Sequence, residues 1–405
     1  MHILHVVGAR PNFMKAAPVL RALRVYPNLR QTLVHTGQHY DAAMSDVFFR
    51  QLEMPEPDYN LGVGSGSHAQ QTAAIMQAFE PVVLESKADL VLVYGDVNST
   101  AAAALVCSKI GLRVGHVEAG LRSRDRSMPE EINRLITDQL SDLLFTPSRE
   151  SDENLLREGI SSEKIHRVGN VMIDTLVRLL PCAEDYFPPN VSSPYALVTL
   201  HRPSNVDDLD WLRDLLTTLT ELSSQLTVIF PVHPRTRQRL ETLVLTRETA
   251  FSSSAQPRGE TDALSVLGTP SEAKGSSVGA NHAAGSDQTP QLHLLGPLPY
   301  LEFLALERKA TMVITDSGGI QEETTFLGVP CLTVRENTER PVTITQGTNQ
   351  LVGRDLKKLR RTAQEILKYT STGKSGQQSR RTCVPLWDGH AAERIAQTIL
   401  RRSAQ

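Results

Sequence analysis

The chain has 405 residues, 40% of them hydrophobic and 21% charged, a composition typical of a soluble globular protein with room for two domains. Its net charge of -3 gives no electrostatic basis for binding nucleic acid or an anionic membrane. No apolar stretch approaches the roughly 18 residues that a membrane span needs, so we predict no nucleic-acid and no membrane partner, and any anion site must be local.

Four cysteines, Cys107, Cys182, Cys331 and Cys383, lie far apart in the chain. None has the CxxC spacing of a metal or redox motif. Free cysteine packs as a small hydrophobe, so we predict buried, reduced thiols, which fit a cytoplasmic protein.

Short apolar runs alternate with helical patterns in the N-terminal half. The run HILHVVG at 2–8 predicts a first strand rather than a signal peptide, and FMKAAPVLRALRVY at 13–26 has helical periodicity. Further strands are predicted at QTLVHT and at 89–96, 113–119, 142–148 and 164–170. Continuous apolar strands separated by helices are typical of βαβ units in a parallel sheet that is buried on both faces.

The alternation stops at a proline-rich stretch between Pro181 and Pro194 and then starts again, which predicts a domain boundary near 172–194. Strands follow at 195–200, 226–232, 292–296, 312–316, 330–334 and 349–353, and a terminal helix runs from Gly389 to about Arg402. We predict a Rossmann-like N-terminal domain over 1–175, joined by the terminal segment 388–405. A Rossmann-like C-terminal domain then covers 176–387.

Residues 252–289 do not fit this rhythm. They are rich in Ser, Ala, Gly and Pro and have no apolar periodicity, so they cannot bury enough surface to offset the entropy of ordering. We predict a disordered surface insertion; a lid or a partner-binding motif is the alternative.

Charged residues follow the first predicted strands. The turn Gly8-Ala9-Arg10-Pro11 is not GxGxxG, so the dinucleotide fingerprint is absent. Arg10 and Lys15 lie at and just inside a helix N-terminus, where cations and free N–H groups can bind an anion; they could also be solvated surface charges. Asp96 ends the strand 89–96, where open α/β sheets bind ligands, although it could instead cap the next helix.

Acidic residues also follow the strand 113–119. Glu118 stands at its end with Arg122 nearby, and MPEEINR at 128–134 opens a helix. Glu130 and Arg134 are four residues apart and could form an ordinary surface ion pair. Glu131 lies on another face, and we predict that it faces the site; the alternative is a favourable charge at a helix N-terminus.

The second half repeats this layout with different residues. His201 and Arg202 follow the strand 195–200, and His233 follows the strand 226–232. In DSGGIQEE at 316–323, Ser317, Gly318 and Gly319 lead into a helix whose N–H groups could hold a diphosphate. One turn further on, Glu322 and Glu323 could accept ribose hydroxyls. RENTERP at 335–341 adds Arg335, Glu339 and Arg340 for charge balance.

Seven motifs in this order resemble the non-hydrolysing UDP-N-acetylglucosamine 2-epimerases. They are GARPNFMKAAPV, GDVNST, HVEAGLRS, MPEEINR, HR followed by NV, DSGGIQEE and TERP. The resemblance implies a glycosyltransferase-B-like α/β fold of two Rossmann-like domains, with the active site in the interdomain cleft. It implies interconversion of UDP-N-acetylglucosamine and UDP-N-acetylmannosamine through a bound glycal, with no metal and no nicotinamide cofactor. It also implies a cytoplasmic homodimer that serves polysaccharide biosynthesis.

The resemblance assigns residues to roles. Asp96, Glu118, Glu131 and His201 match the family's catalytic residues. Its substrate contacts are matched by Arg10, Lys15, Arg134, Arg202, His233, Phe303, Ser317, Gly318, Gly319, Glu323 and Arg340, with Phe303 near the uracil. The chemistry suits these types, because removal of the weakly acidic C2 proton needs a positioned base, and departure of UDP needs a diphosphate clamp.

This chain departs from the family pattern in two motifs. Pro203-Ser204-Asn205 stands where some members have a Glu-Asn pair, and QHYDAAMS at 38–45 differs from the QHREMLDQ of members with a second, regulatory substrate site. Regulation by substrate is therefore not expected. The sequence leaves open a related substrate, such as a UDP-2,3-diacetamido uronic acid, a UDP-sugar glycosyltransferase, or a non-catalytic binding protein.

Overall fold

The computed structural model describes residues 1–38, 49, 51–189, 191, 193–251, 291–371 and 384–403. The predicted insertion 252–289, most of 38–45 and Cys383 lie outside these residues. Contacts divide the chain into two compact units. The first unit comprises Met1–Pro181, Asn337–Gly347 and Arg381–Gln405; the second comprises Cys182–Glu336 and Thr348–Arg380.

Strands and helices alternate along both units. The strands are β1 (His2–Val7), β2 (Arg30–His35), β3 (Tyr59–Asn60), β4 (Leu90–Tyr94), β5 (Val114–Val117), β6 (Leu143–Thr146), β7 (Ile165–Arg167), β8 (Tyr195–Thr199), β9 (Thr227–Pro231), β10 (Leu292–Leu295), β11 (Met312–Thr315), β12 (Cys331–Thr333) and β13 (Asn349–Leu351). The helices are α1 (Arg10–Arg24), α2 (His68–Ser86), α3 (Asn98–Lys109), α4 (Pro129–Leu140), α5 (Arg149–Arg157), α6 (Val171–Ala183), α7 (Pro203–Val206), α8 (Leu209–Leu222), α9 (Pro234–Phe251), α10 (Tyr300–Lys309), α11 (Gly318–Leu327), α12 (Val342–Thr345), α13 (Leu356–Ser371) and α14 (Ala391–Ser403).

The first unit is built on a seven-stranded sheet in the order β3-β2-β1-β4-β5-β6-β7. All its pairings are parallel. Every residue of β1, β4, β5 and β6 is buried, as the continuous apolar runs predict for strands covered by helices on both faces. β3, with two residues, was not predicted, because a pair of residues carries no periodicity.

The second unit is built on a six-stranded parallel sheet in the order β10-β9-β8-β11-β12-β13. Its core is apolar and includes Val198, Leu215, Phe230 and Ile314, none of them accessible to solvent. The strand order of both units starts from a central strand and reverses beside it, as in doubly wound folds. The predicted class, α/β with two Rossmann-like parallel sheets, is confirmed.

The division into units differs from the predicted boundaries in three respects. The first unit ends at Pro181, inside α6, rather than at 175, and its C-terminal segment begins at Arg381 rather than at 388. Residues before α14 already contact this unit, because the indole N–H of Trp387 donates to the Pro147 carbonyl at 3.0 Å. Residues 337–347 also group with the first unit, because Glu339 and Arg340 form ion pairs there.

The cysteines and helices bear on two other expectations. Cys107 and Cys331 are buried free thiols, as predicted, but Cys182 is exposed because it lies on the open face of the last turn of α6. Among the described residues, none of the helices combines the length and the apolar character needed to cross a bilayer.

Candidate active site

The predicted site residues gather where the strand order reverses. In the first unit this point lies between β1 and β4, whose carboxyl ends continue into Arg10 and Asp96. In the second unit it lies between β8 and β11, whose carboxyl ends continue into His201 and Ser317. Open parallel sheets bind ligands at such points, so each unit presents its chemistry where the topology favours a site.

Glu118 is clamped between two cations. Lys15 forms an ion pair with Oε2, and Arg340 Nη2 lies 3.2 Å from Oε1. The side chains of all three are less than a tenth exposed. Glu118 also has a φ of 74°, a left-handed conformation that costs a non-glycine residue about 1–3 kcal/mol and is found mainly at functional sites.

Asp96 is held by Arg134. The Nε and Nη2 of Arg134 donate to Asp96 Oδ2 at 3.0 and 2.6 Å. Burial alone would raise the pKa of Asp96, but the charges of Arg134, Lys15 and Arg340 outweigh it and lower the pKa below its ordinary value. Asp96 is therefore ionised at neutral pH, the form that can accept a proton.

The expected helix-cap alternatives at this turn are not realised. The N-cap of α3 is Val97, without a side-chain cap. The Asn98 amide instead donates to Gln71 Oε1 at 2.8 Å. The surface ion pair that Glu130 and Arg134 could have formed is not present, because the Arg134 guanidinium is buried and bonds to Asp96 and Glu131.

Glu131 organises the loop before α4. Its Oε2 accepts from the amide and hydroxyl of Ser123 at 2.8 and 2.9 Å and from Arg134 Nη1 at 2.8 Å, and its Oε1 accepts from the Arg124 amide at 2.9 Å. Glu131 is 2% exposed, and Arg124 has a positive φ of 60°. The carboxylate thus stabilises a strained loop and the orientation of Arg134, a function that its sequence position alone did not reveal.

Gly95 allows these charges to come together. Its φ is +62°, and a Cβ atom there would lie 2.8 Å from Lys15 Nζ and 3.3 Å from Glu118 Oε2. Any side chain at this position would displace the ion pair. Arg10, the first residue of α1, is exposed. Lys15, the other cation of the expected anion site, is buried and already paired with Glu118.

In the second unit, Asp316 gathers the residues that follow β8. Its carboxylate accepts from the amide of Arg202 at 2.9 Å and from the side-chain amide of Asn205 at 3.0 Å, and it lies 3.1 Å from His201 Nδ1. The His201 side chain is 40% exposed, whereas Asp316 is fully buried. A carboxylate at Nδ1 holds the imidazole in the tautomer that presents Nε2 to a substrate.

Asp316 belongs to the motif DSGGIQEE but was not among the predicted site residues. Its position between the end of a strand and two glycines was the signal that could have identified it. Burial would raise the pKa of Asp316, but the hydrogen bond from His201 and its neighbours lower it. His233 lies beside His201, with ring centroids 5.7 Å apart. The two predicted histidines are thus brought together, as their equivalent strand ends suggested.

Ser317, Gly318 and Gly319 stand at the N-terminus of α11. Ser317 is its N-cap, with extended backbone and no side-chain cap, and the two glycines form its first turn. All three are half-buried. The first N–H groups of a helix have no intrahelical acceptor, so this end suits an anionic group.

Glu323 lies one turn inside α11 and is 2% exposed. Its Oε1 accepts a hydrogen bond from the Tyr300 hydroxyl at 2.7 Å. The fully buried Glu307 of α10, which sequence analysis missed, is its neighbour. Burial raises the pKa of both carboxyls, that of Glu323 to about 7. Phe303 is half-buried and packs against an apolar cluster that includes Tyr195 and Leu306.

Known proteins are similar to this chain over most of its length. Residues 21–400 match the family model for UDP-N-acetylglucosamine 2-epimerase. The chain is 40% identical over 372 residues to a UDP-N-acetylglucosamine 2-epimerase of Methanococcus maripaludis, covering 90% of this chain and 91% of that protein. It is 38% identical over 364 residues to a UDP-2,3-diacetamido-2,3-dideoxy-D-glucuronate 2-epimerase of Pseudomonas aeruginosa, covering 87% and 88%.

A solved structure shows the same similarity in three dimensions. The crystal structure of the UDP-GlcNAc 2-epimerase of Methanocaldococcus jannaschii in complex with UDP-GlcNAc and UDP matches with a TM-score of 0.80 and 36% identity, covering 99% of this chain and all of that one. The predicted glycosyltransferase-B-like class agrees with this match. Sequence, fold and the order of the site motifs lead to one conclusion: the chain belongs to the UDP-N-acetylglucosamine 2-epimerase family.

Proposed function

We propose that this chain interconverts UDP-N-acetylglucosamine and UDP-N-acetylmannosamine by inverting C2 of the sugar. The observation that supports it most is the buried cluster in the first unit, where ionised Asp96 and cation-clamped Glu118 stand at adjacent strand ends. The family match supplies the substrate class, and a UDP-GlcNAc-bound relative supports it.

The proposed reaction is an elimination followed by an addition. A carboxylate takes the C2 proton, the C–H electron pair forms a double bond between C1 and C2, and the C1–O bond breaks with its electron pair on UDP. UDP then adds back to C1 of the bound glycal while an acid returns a proton to the other face of C2. No atom is oxidised, so the route is redox-neutral and its balance needs neither a nicotinamide nor a metal.

The residues divide between these steps. We assign proton handling to Asp96, Glu118 and His201, because ionised carboxylates and an oriented imidazole are the groups that general acid–base catalysis uses. Glu131 completes the predicted catalytic set by holding Arg134 and the loop at Ser123. The nucleotide is assigned to Arg10, Lys15, Arg202, His233, Phe303, Arg340, the turn Ser317-Gly318-Gly319 and Glu323.

Turnover in D2O tests the reaction. The proton returned to C2 comes from an acid that exchanges with solvent, so we expect deuterium at C2 of the product by NMR. Only traces of UDP and free glycal should accumulate, as a non-hydrolysing enzyme requires. A product without deuterium, formed only when nicotinamide is supplied, would refute the elimination route.

A second candidate substrate is a UDP-2,3-diacetamido uronic acid, favoured by the 38% identity to the Pseudomonas aeruginosa relative. Both substrates should be assayed side by side with the same protein. We expect kcat/KM to be higher for UDP-N-acetylglucosamine, and the reverse order would transfer the proposal to the uronic acid.

We also propose a cytoplasmic homodimer that serves polysaccharide biosynthesis. A mass of twice the 44.6 kDa chain mass, measured by light scattering of the purified protein, would support the dimer.

A further inference from the structure

A second charged group lies beneath the carboxylates of the first unit. His116 in β5 and Asp138 in α4 are completely buried, and His116 Nδ1 lies 2.6 Å from Asp138 Oδ1. The other ring nitrogen, Nε2, lies 2.8 Å from the Gly95 carbonyl oxygen. Neither residue belongs to the predicted catalytic or substrate-binding set.

The hydrogen bonds identify the protonation state of this pair. A carbonyl oxygen only accepts, so Nε2 of His116 carries a proton. Asp138 Oδ2 accepts from the Gly120 amide at 3.1 Å and lies 2.7 Å from Arg122 Nη1, two donors that favour an ionised carboxylate. An ionised carboxylate also only accepts, so Nδ1 carries a proton as well, and the ring is an imidazolium.

A buried ion pair is costly to keep. Desolvation of two charges commonly equals or exceeds their mutual attraction, and apolar residues of the same volume often serve stability as well or better. Stability alone therefore does not explain why a charged pair is buried here, and the hydrogen-bond partners of the pair indicate another role.

Two partners of the pair are backbone atoms within two residues of a proposed catalytic acid. Gly95, which accepts from His116, precedes Asp96, and Gly120, which donates to Asp138, is two residues after Glu118. Asp138 also stands one turn after Arg134 on α4, the residue that holds Asp96. The pair thus connects the turn after β4, the turn after β5 and the helix that orients Asp96.

We propose that His116 and Asp138 are positioning residues, which hold the turns carrying Asp96 and Glu118 in the geometry that proton transfer requires. The inference rests on the proposed function, since it takes these two carboxylates as the groups that handle protons. A misplacement of about 1 Å at reacting groups can cost on the order of 10²-fold in rate.

The test compares three single-residue variants of the full chain. Asp138→Asn removes the charge and keeps the shape, and His116→Asn keeps a donor toward Asp138 but loses the bond to Gly95. His5→Asn is the matched control, because His5 is equally buried in the same sheet but bonds to the hydroxyl of Tyr94 at 2.6 Å rather than to a strand-end turn. Urea unfolding measures the loss of stability in each.

We expect Asp138→Asn and His116→Asn to lower kcat about 10-fold to 100-fold while KM and UDP affinity stay within a few-fold. His5→Asn should lose comparable stability and keep its kcat. In 15N-labelled wild-type protein, His116 should show two protonated ring nitrogens, and Asp138→Asn should remove one. A kcat that follows stability alone in all three variants, or a neutral His116 ring in the wild type, would overturn the proposal.

Crystal structures separate this proposal from the proposed reaction. In Asp138→Asn we expect the Asp96 or Glu118 carboxylate to move by more than about 0.5 Å, the tolerance of a productive site. In His5→Asn both carboxylates should stay in place. Unmoved carboxylates would refute the positioning role even if the enzyme turns over. Wild-type protein that epimerises neither substrate would refute the proposed function instead. The protonation of the His116 ring and the position of the Asp96 and Glu118 carboxylates would still test the positioning role in that case.

Discussion

Asp96 in the first unit and Glu323 in the second are both acids near the carboxyl end of a parallel sheet, yet their pKa values shift in opposite directions. Burial by itself raises both. Around Asp96 the cations Arg134, Lys15 and Arg340 outweigh burial, whereas Glu323 has Tyr300 as a donor and the acids Glu307 and Glu322 as neighbours. The sign of the shift is thus decided by neighbouring charge.

This difference separates two kinds of chemistry. A carboxylate kept ionised by cations can accept a proton from carbon, whereas a carboxyl whose pKa is raised to about 7 is partly protonated at neutral pH and can both donate to and accept from a hydroxyl group. Asp96 is therefore suited to proton transfer and Glu323 to holding a hydroxyl group of a nucleotide. Four predictions test this comparison, from the largest expected effect to the smallest.

Asp96→Asn and Glu118→Gln should each lower kcat about 10²-fold to 10⁴-fold, the usual contribution of general acid–base catalysis. Glu323→Gln should instead raise KM and leave kcat within a few-fold. Epimerisation followed by NMR measures both constants. Glu153→Gln, an exposed acid on α5, is the control and should change neither. A kcat loss in Glu323→Gln as large as that in Asp96→Asn would contradict the assignment of Asp96 to proton transfer and of Glu323 to nucleotide binding.

Arg134→Lys should lower kcat about 10-fold to 100-fold. A lysine ammonium is a point charge and cannot reach Asp96 and Glu131 at once in the way that the guanidinium does. Arg149→Lys, whose guanidinium is 76% exposed and pairs with Glu153, is the matched control. If both variants retain full activity, charge alone suffices at Arg134 and its geometry does not matter.

Gly95→Ala should destabilise the first unit by about 1–3 kcal/mol and reduce turnover several-fold, because its Cβ would displace the pair of Lys15 with Glu118 as well as strain the backbone. Gly111→Ala is the control, since Gly111 also has a positive φ, +74°, but faces open space. It should cost about 1 kcal/mol and leave turnover unchanged. Urea unfolding and initial rates measure both; equal losses of activity would contradict the close-approach argument.

Glu323→Gln should also flatten the pH dependence of stability. The pKa of Glu323 is raised from 4.5 to about 7, so the folded state binds more protons than the unfolded state between these values. Stability from this group is present at low pH and is lost as pH rises through that window. At pH 8 the variant should gain about 1 kcal/mol, or ~2–4 °C in Tm. Glu241 is an exposed acid, so Glu241→Gln should keep the wild-type slope of stability against pH. The same slope in Glu323→Gln would contradict the raised pKa of Glu323.

The strands and their parallel arrangement follow from local sequence. Runs such as LVLVY at β4 and MVIT at β11 are apolar throughout, which only strands covered on both faces tolerate, and the helices between them require parallel pairing. The residues after these strands could be predicted as site residues for the same reason, because all carboxyl ends of a parallel sheet lie at one edge.

Partners of the charged residues could not be predicted in this way. Spacing along one helix offered Glu130 as a possible partner of Arg134, but Arg134 bonds to Asp96, 38 residues away in the chain. Arg340 and Glu118 are 222 residues apart, and Glu307 gave no signal because a single acid in an amphipathic helix reads as a surface residue. Such pairings depend on which helices the sheet brings together.

The sequence by itself therefore determined the fold class, the edge of each sheet that carries the chemistry and the family, since periodicity and motif order are local properties of the chain. Only the tertiary structure decided that cations lower the pKa of Asp96, that burial raises the pKa of Glu323 and that His116 Nδ1 lies 2.6 Å from Asp138. Charge states depend on the distance between groups that are remote in sequence and on their access to water, and both exist only once the chain is folded.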